Sequence, residues 1–343
     1  MIPHVDGVIT ADEVLATAGA IARLQQSDGM IPWHPGGHCD PWNHVESAMA
    51  LDVAGLHDHA RAAYQWLADI QRPDGSWHNY YVAGGVEDAK LDTNVCAYVA
   101  TGVWHHWLVT GDEASTATYW PMVERAIDWV LDLQRPGGEI VWAREVETQP
   151  WAYALLTGSS SIAHSLRCAV DLAELFGQHR PDWELSLVNV TDVIRTRPGV
   201  FADKRRWAMD WYYPVLTGVW TGEMAHRRLV DGWDTFVLDG RGVRCVSDEP
   251  WVTAAETAEC AIAHAAIGSI DVACELLHWT RAHRGPSGAY LTGVVYPGQN
   301  SFPIDERTAY TGAAVILAAD AVAGATPASG LFVPAPALAD DPE

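Results

Sequence analysis

The sequence predicts an all-α fold, a single (α/α)6 barrel, or toroid, of six helical hairpins with long loops at one mouth. Three observations carry this. A unit of helix, Pro/Gly-broken turn, aromatic loop and second helix recurs six times at intervals of roughly 45–65 residues, and repeats of that kind bury their faces only against one another. The second helix of each unit is the richer in Ala, Gly, Ser and Cys, as a crowded inner ring requires. The unusual residues (Trp, Asp and His) gather in the loops that precede those second helices, so they face one mouth.

The clearest copy runs from Gln71 to Val109. A helix ends at Gln71-Arg72, where Pro73 lacks the amide hydrogen a helix needs and Asp74-Gly75 suits a turn. The aromatic stretch Ser76 to Tyr81 leads through a longer loop to Asp92-Thr93-Asn94. Asp and Thr there can accept the free amide hydrogens of a new helix over Val95–Val109. At the start of the chain, Thr10 caps the first helix with Glu13 completing a capping box, and Ser27-Asp28-Gly29 turns into the loop Met30 to Cys39. Asp40-Pro41-Trp42 opens the next helix, with Asp as cap and Pro at the first helical position. Ala60 to Ile70 leads into the Gln71 copy. Tyr119 to Leu133 leads into a third, with Gln134-Arg135-Pro136-Gly137-Gly138 as its turn and a helix from Thr157-Gly158-Ser159. The fourth turns at Arg197-Pro198-Gly199 and reopens at Met209-Asp210-Trp211. The fifth runs from Trp233 through Gly240-Arg241-Gly242 to Asp248-Glu249-Pro250-Trp251 and a helix over Thr253–Ile267. The sixth runs from Ala273 through Gly285-Pro286-Ser287-Gly288 to a last helix reaching Ala321. The barrel domain is therefore placed at residues 1–326, and 327–343 is expected to be a flexible, acidic, Pro/Ala-rich tail.

Composition narrows the function. Of 343 residues, 49% are apolar, enough for a packed core, and a net charge of −23 disfavours nucleic acid and anionic membranes, which call for basic surface. Lys90 and Lys204 are the only lysines. The six cysteines are scattered without a CxxC pair, as buried free thiols of a reducing compartment would be. The N-terminus has early acids and no basic-then-apolar leader, and no apolar run approaches the ~18 residues of a membrane span. A soluble, cytoplasmic protein with no membrane partner is expected.

The barrel geometry arranges the candidate chemistry. Asp40, Asp92, Asp210, Asp248 and Glu306 occupy equivalent entry positions of five repeats and are expected to converge on one rim. Glu46 and Glu256 are expected about two turns into the first and fifth inner helices. Aromatic residues including Trp42, Trp142, Trp211, Tyr212, Trp251 and Tyr290 surround them, with His38 and His44 beside Asp40. Aromatic faces stack on sugars, carboxylates hydrogen-bond hydroxyls, and two carboxylates can hydrolyse a glycosidic bond. That points to a neutral or methylated carbohydrate. We expect Asp40 and Glu256 as the catalytic pair, with Glu256 as a general acid kept protonated by a dry surrounding and Asp40 as the base. Helix capping alone would equally account for Asp40, Asp92 and Asp210. His34, His38, His44 and Asp40 lack the spacing of a metal motif, and no Walker loop, Rossmann fingerprint or G-x-S-x-G elbow occurs, so no metal or cofactor is expected.

The Gln71-Arg72-Pro73-Asp74-Gly75-Ser76-Trp77 stretch, and more weakly Gln25 to Gly29, resembles the QW repeats of prenyltransferase and triterpene-cyclase toroids. The chain lacks their D-x-D-D and DDxxD motifs, so that resemblance concerns the fold. Over nearly its full length, and most in Pro32 to Leu51, Leu155 to Ala169, Met209 to Leu216 and Arg244 to Glu259, the chain resembles the mycobacterial methylmannose polysaccharide hydrolases. The resemblance implies an endo-acting α-mannosidase of the (α/α)6 class, cutting an α-(1→4)-linked, partly 3-O-methylated mannan. A prenyl or terpene enzyme and a non-enzymatic carbohydrate-binding toroid are the alternatives.

Overall fold

In a computed structural model, which describes residues 1–146 and 149–332, the described chain forms twelve α-helices in alternating outer and inner positions. The outer helices are α1 (Ala11–Ala22), α3 (His57–Ile70), α5 (Glu113–Leu131), α7 (Pro181–Thr196), α9 (Gly222–Phe236) and α11 (Ile270–Trp279). The inner ones are α2 (Pro41–Val53), α4 (Thr93–Thr110), α6 (Leu156–Leu175), α8 (Ala208–Leu216), α10 (Ala254–Ala266) and α12 (Ala309–Ala323). Each inner helix packs on the next, α2 on α4 and so on round to α12, and α12 packs on α2. That closes a ring of six, and the (α/α)6 barrel is the fold.

Burial separates the two rings. The inner helices are buried almost all round: in α2 every residue but Trp42 and Asn43 is buried. α9, an outer helix, buries only Ala225, Leu229 and Phe236. A helix apolar or small on all sides belongs in an interior, and one with a single apolar stripe belongs on its edge. The helix starts follow the capping signals. Thr10 makes the capping box with Glu13, and Asp40 and Asp92 cap α2 and α4. α5 begins six residues earlier than periodicity places it, because Asp112 caps it by accepting from Ser115 N–H.

The recurrent Gln and Gly have a common task. Gln71 Nε2 donates to Gly75 O (2.9 Å), across its own turn, and to Met122 O (2.9 Å) on the next outer helix, α5. Gln25 does the same to Gly29 and His59 of α3, and Gln134 to Gly138 and Ser186 of α7. Gly75 has φ +93° and lies against α5, where a Cβ would strike the Arg125 carbonyl. Gly288 repeats this against Ala16 of α1, its carbonyl accepting from Thr17 Oγ1 (2.9 Å), which fastens the last hairpin to the first. Two residues beyond each of these glycines a side chain fills the hairpin core: Ile31, Trp77, Ile140 and Tyr290 are all essentially buried.

Short strands appear where the sequence reading placed only loops, and they form a belt around the mouth. Cys39 bridges Tyr81, β1 (Leu91–Asp92) pairs with β2 (Ala143–Arg144), Ala154 bridges Phe201, and Trp207 bridges Val246. β3 (Trp251–Thr253) pairs with β4 (Gly293–Val295), and Ala309 N–H donates to Trp33 O (2.7 Å) to complete the circuit. The opposite end is closed by the chain after α12. Thr326 is held by Asp320, Leu331 O accepts from His164 Nε2 (3.0 Å), and Phe332 stacks on His164 at 4.7 Å. Within the tail expected from 327, Ala328 and Phe332 are buried instead; 333–343 lie outside the described residues. All six cysteines are free, five of them buried, and no helix among the described residues is long and apolar enough to cross a membrane.

Gly75→Ala is expected to destabilise the barrel by at least ~2 kcal/mol, through both the left-handed backbone and the blocked approach to α5, and Gln71→Ala by about 1–3 kcal/mol. Urea unfolding of each variant measures this; a change within ~0.5 kcal/mol at Gly75 would show that α5 does not bear on the turn.

Candidate active site

The N-termini of the inner helices and the loops before them enclose a cleft of two joined compartments. The larger, about 400 Å³, is lined by Asp40, Asp92, Asp210, Trp33, Tyr80 and Trp142, among others. The smaller, about 200 Å³, is lined by Glu256, Glu46, Glu259, Trp251, Thr292 and Tyr310. Trp42, Asn43 and Met209 border both and mark the junction.

Asp40 is 4% exposed at the N-cap of α2. It accepts from Asn43 N–H (3.0 Å), Asn43 Nδ2 (2.7 Å) and Trp33 Nε1 (2.7 Å). Burial nevertheless pushes its carboxyl above the ordinary aspartate range. Glu256 lies in the first turn of α10, not two turns in, and is partly exposed to the cleft. The dry carboxyl is therefore Asp40, and the expectation of a dry Glu256 is corrected: Trp33 and Asn43 cover Asp40, whereas the first turn of α10 leaves Glu256 partly open to the cleft.

Beneath the junction lie Glu46 and Glu259. Glu46 accepts from Trp42 Nε1 (2.9 Å) and Tyr98 Oη (3.3 Å), and Tyr212 Oη donates to Glu259. Burial pushes Glu46 up to about 7, and the charges of Asp40 and Glu256 push it the same way, so Glu46 sits within reach of both. Glu259 is driven well above the glutamate range by burial and then by Glu46. With Tyr98, Tyr213 and Phe332 around them, the two carboxyls share an almost closed chamber of about 10 Å³. The phenol of Tyr310, pushed up mainly by burial, also feels Glu256, Glu306 and Asp40. Tyr310 and Tyr98 were not read as site residues; nothing in the sequence separates them from core tyrosines.

Of the carboxylates expected on one rim, Asp40, Asp92 and Asp210 share the larger compartment. Asp248 does not: it is exposed and paired with Arg206 at 2.8 Å. Glu306 accepts from Thr292 (3.0 Å) and is not itself a wall of either compartment. Asp92 caps α4 and faces Lys90, and Asp210 accepts from Thr157 Oγ1 (2.7 Å). Trp42, Trp142 and Trp251 line the cleft. His38 stands behind that wall, paired with Glu87 (2.9 Å) and stacked on Tyr80.

Four further expectations fail for packing reasons. His44 is fully buried, accepting from Ile31 N–H and donating to Ala63 O, so it joins α2 to α3. Trp211 stacks on Phe236 and donates to Arg228 O, in a pocket between α8 and α9 on the outside of the barrel. Tyr212 offers no face to a sugar, being buried with its hydroxyl on Glu259. Tyr290 fills the core of the sixth hairpin in the place that Trp77 takes in the second. Among the described residues no cluster of three or more His, Cys, Asp or Glu could hold a metal ion.

No family model matches the chain. It is 51% identical over 331 residues, 96% of this chain and 92% of the relative, to the MMP endo-(1,4)-3-O-methyl-alpha-D-mannosidase of Mycolicibacterium hassiacum. A weaker likeness, 29% over 84 residues, is to an uncharacterized glycosyl hydrolase of Methanocaldococcus jannaschii. Among solved structures, a glycosidase in complex with glucose superposes with a TM-score of 0.72 at 13% identity, covering 92% of this chain and 96% of that one. A mannosylglycerate hydrolase from Thermus thermophilus superposes with a TM-score of 0.68 at 12% identity, covering 88% of this chain and 99% of that one. These structures share the fold.

Glu46 makes stability depend on pH. Its folded pKa of about 7 lies above the ordinary 4.5, so its contribution is full below 4.5 and is lost as pH rises through 7. Denaturation at pH 5 and pH 8 should therefore show the wild type losing roughly 1–3 kcal/mol relative to Glu46→Gln on going to the higher pH. A relative gain at pH 8 would mean that Glu46 is held ionised.

Proposed function

We propose that this chain, which belongs to the family of the MMP endo-(1,4)-3-O-methyl-alpha-D-mannosidase, is an endo-acting glycoside hydrolase that cleaves α-(1→4) bonds within 3-O-methylated mannan. The observation that carries the mechanism is the placing of Asp40 and Glu256 in adjoining compartments on either side of Trp42, Asn43 and Met209. A cleft with sugar-sized space on both sides of the reacting carboxyls suits a chain cut internally. Trp42 and Met209 offer apolar surface to the rings at the point of cleavage.

The environments of the two carboxyls support distinct roles. Asp40, dry and pushed above the aspartate range, is the general acid that gives its proton to the departing glycosidic oxygen. Glu256, partly exposed, is the base that takes a proton from a water attacking C1 on the opposite face. The C1–O bond to the leaving sugar breaks as the bond to water forms, and the anomeric configuration inverts. Inversion needs carboxyls about 6.5–9.5 Å apart with room for that water, which two separate compartments favour. The neighbouring Glu46 carboxyl, largely protonated below about pH 7, adds little negative charge beside the reacting centre. Free cysteine thiols fit a reducing compartment, and the cytoplasm is the proposed location.

Incubation with α-(1→4)-linked 3-O-methylmannose oligosaccharides should yield shorter oligomers by mass, the first product being the β-anomer. Asp40→Asn and Glu256→Gln should each lower kcat/KM by roughly 10²–10⁴. An aryl glycoside that needs no protonated leaving group should recover Asp40→Asn far more than Glu256→Gln. The reverse recovery would exchange the two roles, and wild-type activity in either variant would remove that residue from the pair.

A further inference from the structure

The larger compartment has a feature unlike the rest of this acidic molecule. The chain has two lysines, Lys90 and Lys204, and both line it. Lys90 is held in place: its Nζ lies 3.8 Å from Asp92 Oδ2, 4.4 Å from the centre of the Trp142 ring and 5.8 Å from that of Trp151. Its side chain is 14% exposed. Lys204, half-buried, makes no ion pair among the described residues.

Asp92 beside it has little left to offer a ligand. Asn94 N–H (3.0 Å) and Val95 N–H (3.2 Å) donate to Oδ1, Lys90 faces Oδ2, and the Trp142 indole N–H also hydrogen-bonds the carboxylate. A carboxylate has about four acceptor sites: three take these hydrogen bonds, and the Lys90 ammonium faces what remains from 3.8 Å. Asp92, expected to receive sugar hydroxyls, instead anchors Lys90 and Trp142. The same compartment carries apolar surface, including Val95 and Leu155.

That chemistry distinguishes an ether from an alcohol. A methoxy oxygen only accepts, whereas a hydroxyl must also place its own hydrogen. We propose that Lys90, held by Asp92 and Trp142, donates to the methoxy oxygen of a 3-O-methylmannose residue and makes the cleft select methylated over unmethylated mannan. The inference rests on the hydrolase reading above and deepens it. A free hydroxyl in the same place would accept from Lys90 but leave its hydrogen without an acceptor, a loss of roughly 10- to 100-fold. Burying the methyl group adds roughly fourfold.

The test compares matched α-(1→4)-mannooligosaccharides, 3-O-methylated and free, by kcat/KM and by calorimetric Kd. The wild type should prefer the methylated chain by at least about tenfold. Lys90→Met removes the donor and also frees Asp92 Oδ2 to accept from a hydroxyl, so the preference should fall by about tenfold or more. Lys90→Arg, which keeps a donor, should retain most of it. Equal losses on both substrates in Lys90→Met, or no wild-type preference, would overturn the assignment. Preferential binding lost in Lys90→Met but no cleavage by the wild type would keep this inference and overturn the hydrolase reading. Cleavage with an unaltered preference would do the reverse, and binding of neither ligand would overturn both.

Discussion

The barrel depends on one recurring contact between neighbouring hairpins. A glutamine at the end of an outer helix spans its own turn and reaches a carbonyl on the next outer helix, while the turn glycine lets the two backbones touch. A lone helical hairpin of this kind could not bury its apolar face, so each unit is stable only once its neighbour is in place. The fourth, fifth and sixth turns have no such glutamine; α8 and α9 are held by Arg228, which donates to the carbonyls of Asp210 and Trp211, and the sixth turn by Thr17, which donates to Gly288 O. The side chains that hold the ring together thus differ between its two halves.

Closing the ring brings six helix N-termini to one mouth, and this decides where chemistry can occur. Capping carboxylates already stand at such ends because the first-turn amides need acceptors. Asp40 and Asp92 meet that need, and as a consequence face into the cleft. The belt of β-bridges then holds the segments that carry Trp142 and Trp251 against them. Helix formation and site construction use the same residues, so capping and function at Asp40 are not competing explanations.

The far end of the barrel supplies the opposite environment. Phe332 and the chain after α12 close it, and Glu46 and Glu259 stand between a small chamber on that side and the smaller compartment of the cleft. Dehydration raises the range of each; the charges of Asp40 and Glu256 add to it at Glu46, and that of Glu46 at Glu259. Asp40 and Glu256 both stand at the mouth, and what separates them in character is local: Trp33 and Asn43 cover Asp40, while Glu256 is left partly open to the cleft.

The sequence by itself determined the repeats, the order of helices and the mouth on which the site lies, because Pro, Gly and capping residues act locally and recur in register. It also marked Asp40, Glu46, Asp92 and Glu256 as cleft residues, since each sits in or near the first turns of an inner helix. It could not say which way the aromatic residues face. Trp142 lines the cleft while Trp211 packs against Phe236 outside it, yet both follow similar signals. Nor could it show that Lys90 consumes Asp92, or that Asp40 rather than Glu256 is the dry carboxyl. Those depend on contacts between residues far apart in the chain, and solvent exposure and hydrogen-bond saturation are set only when the ring closes.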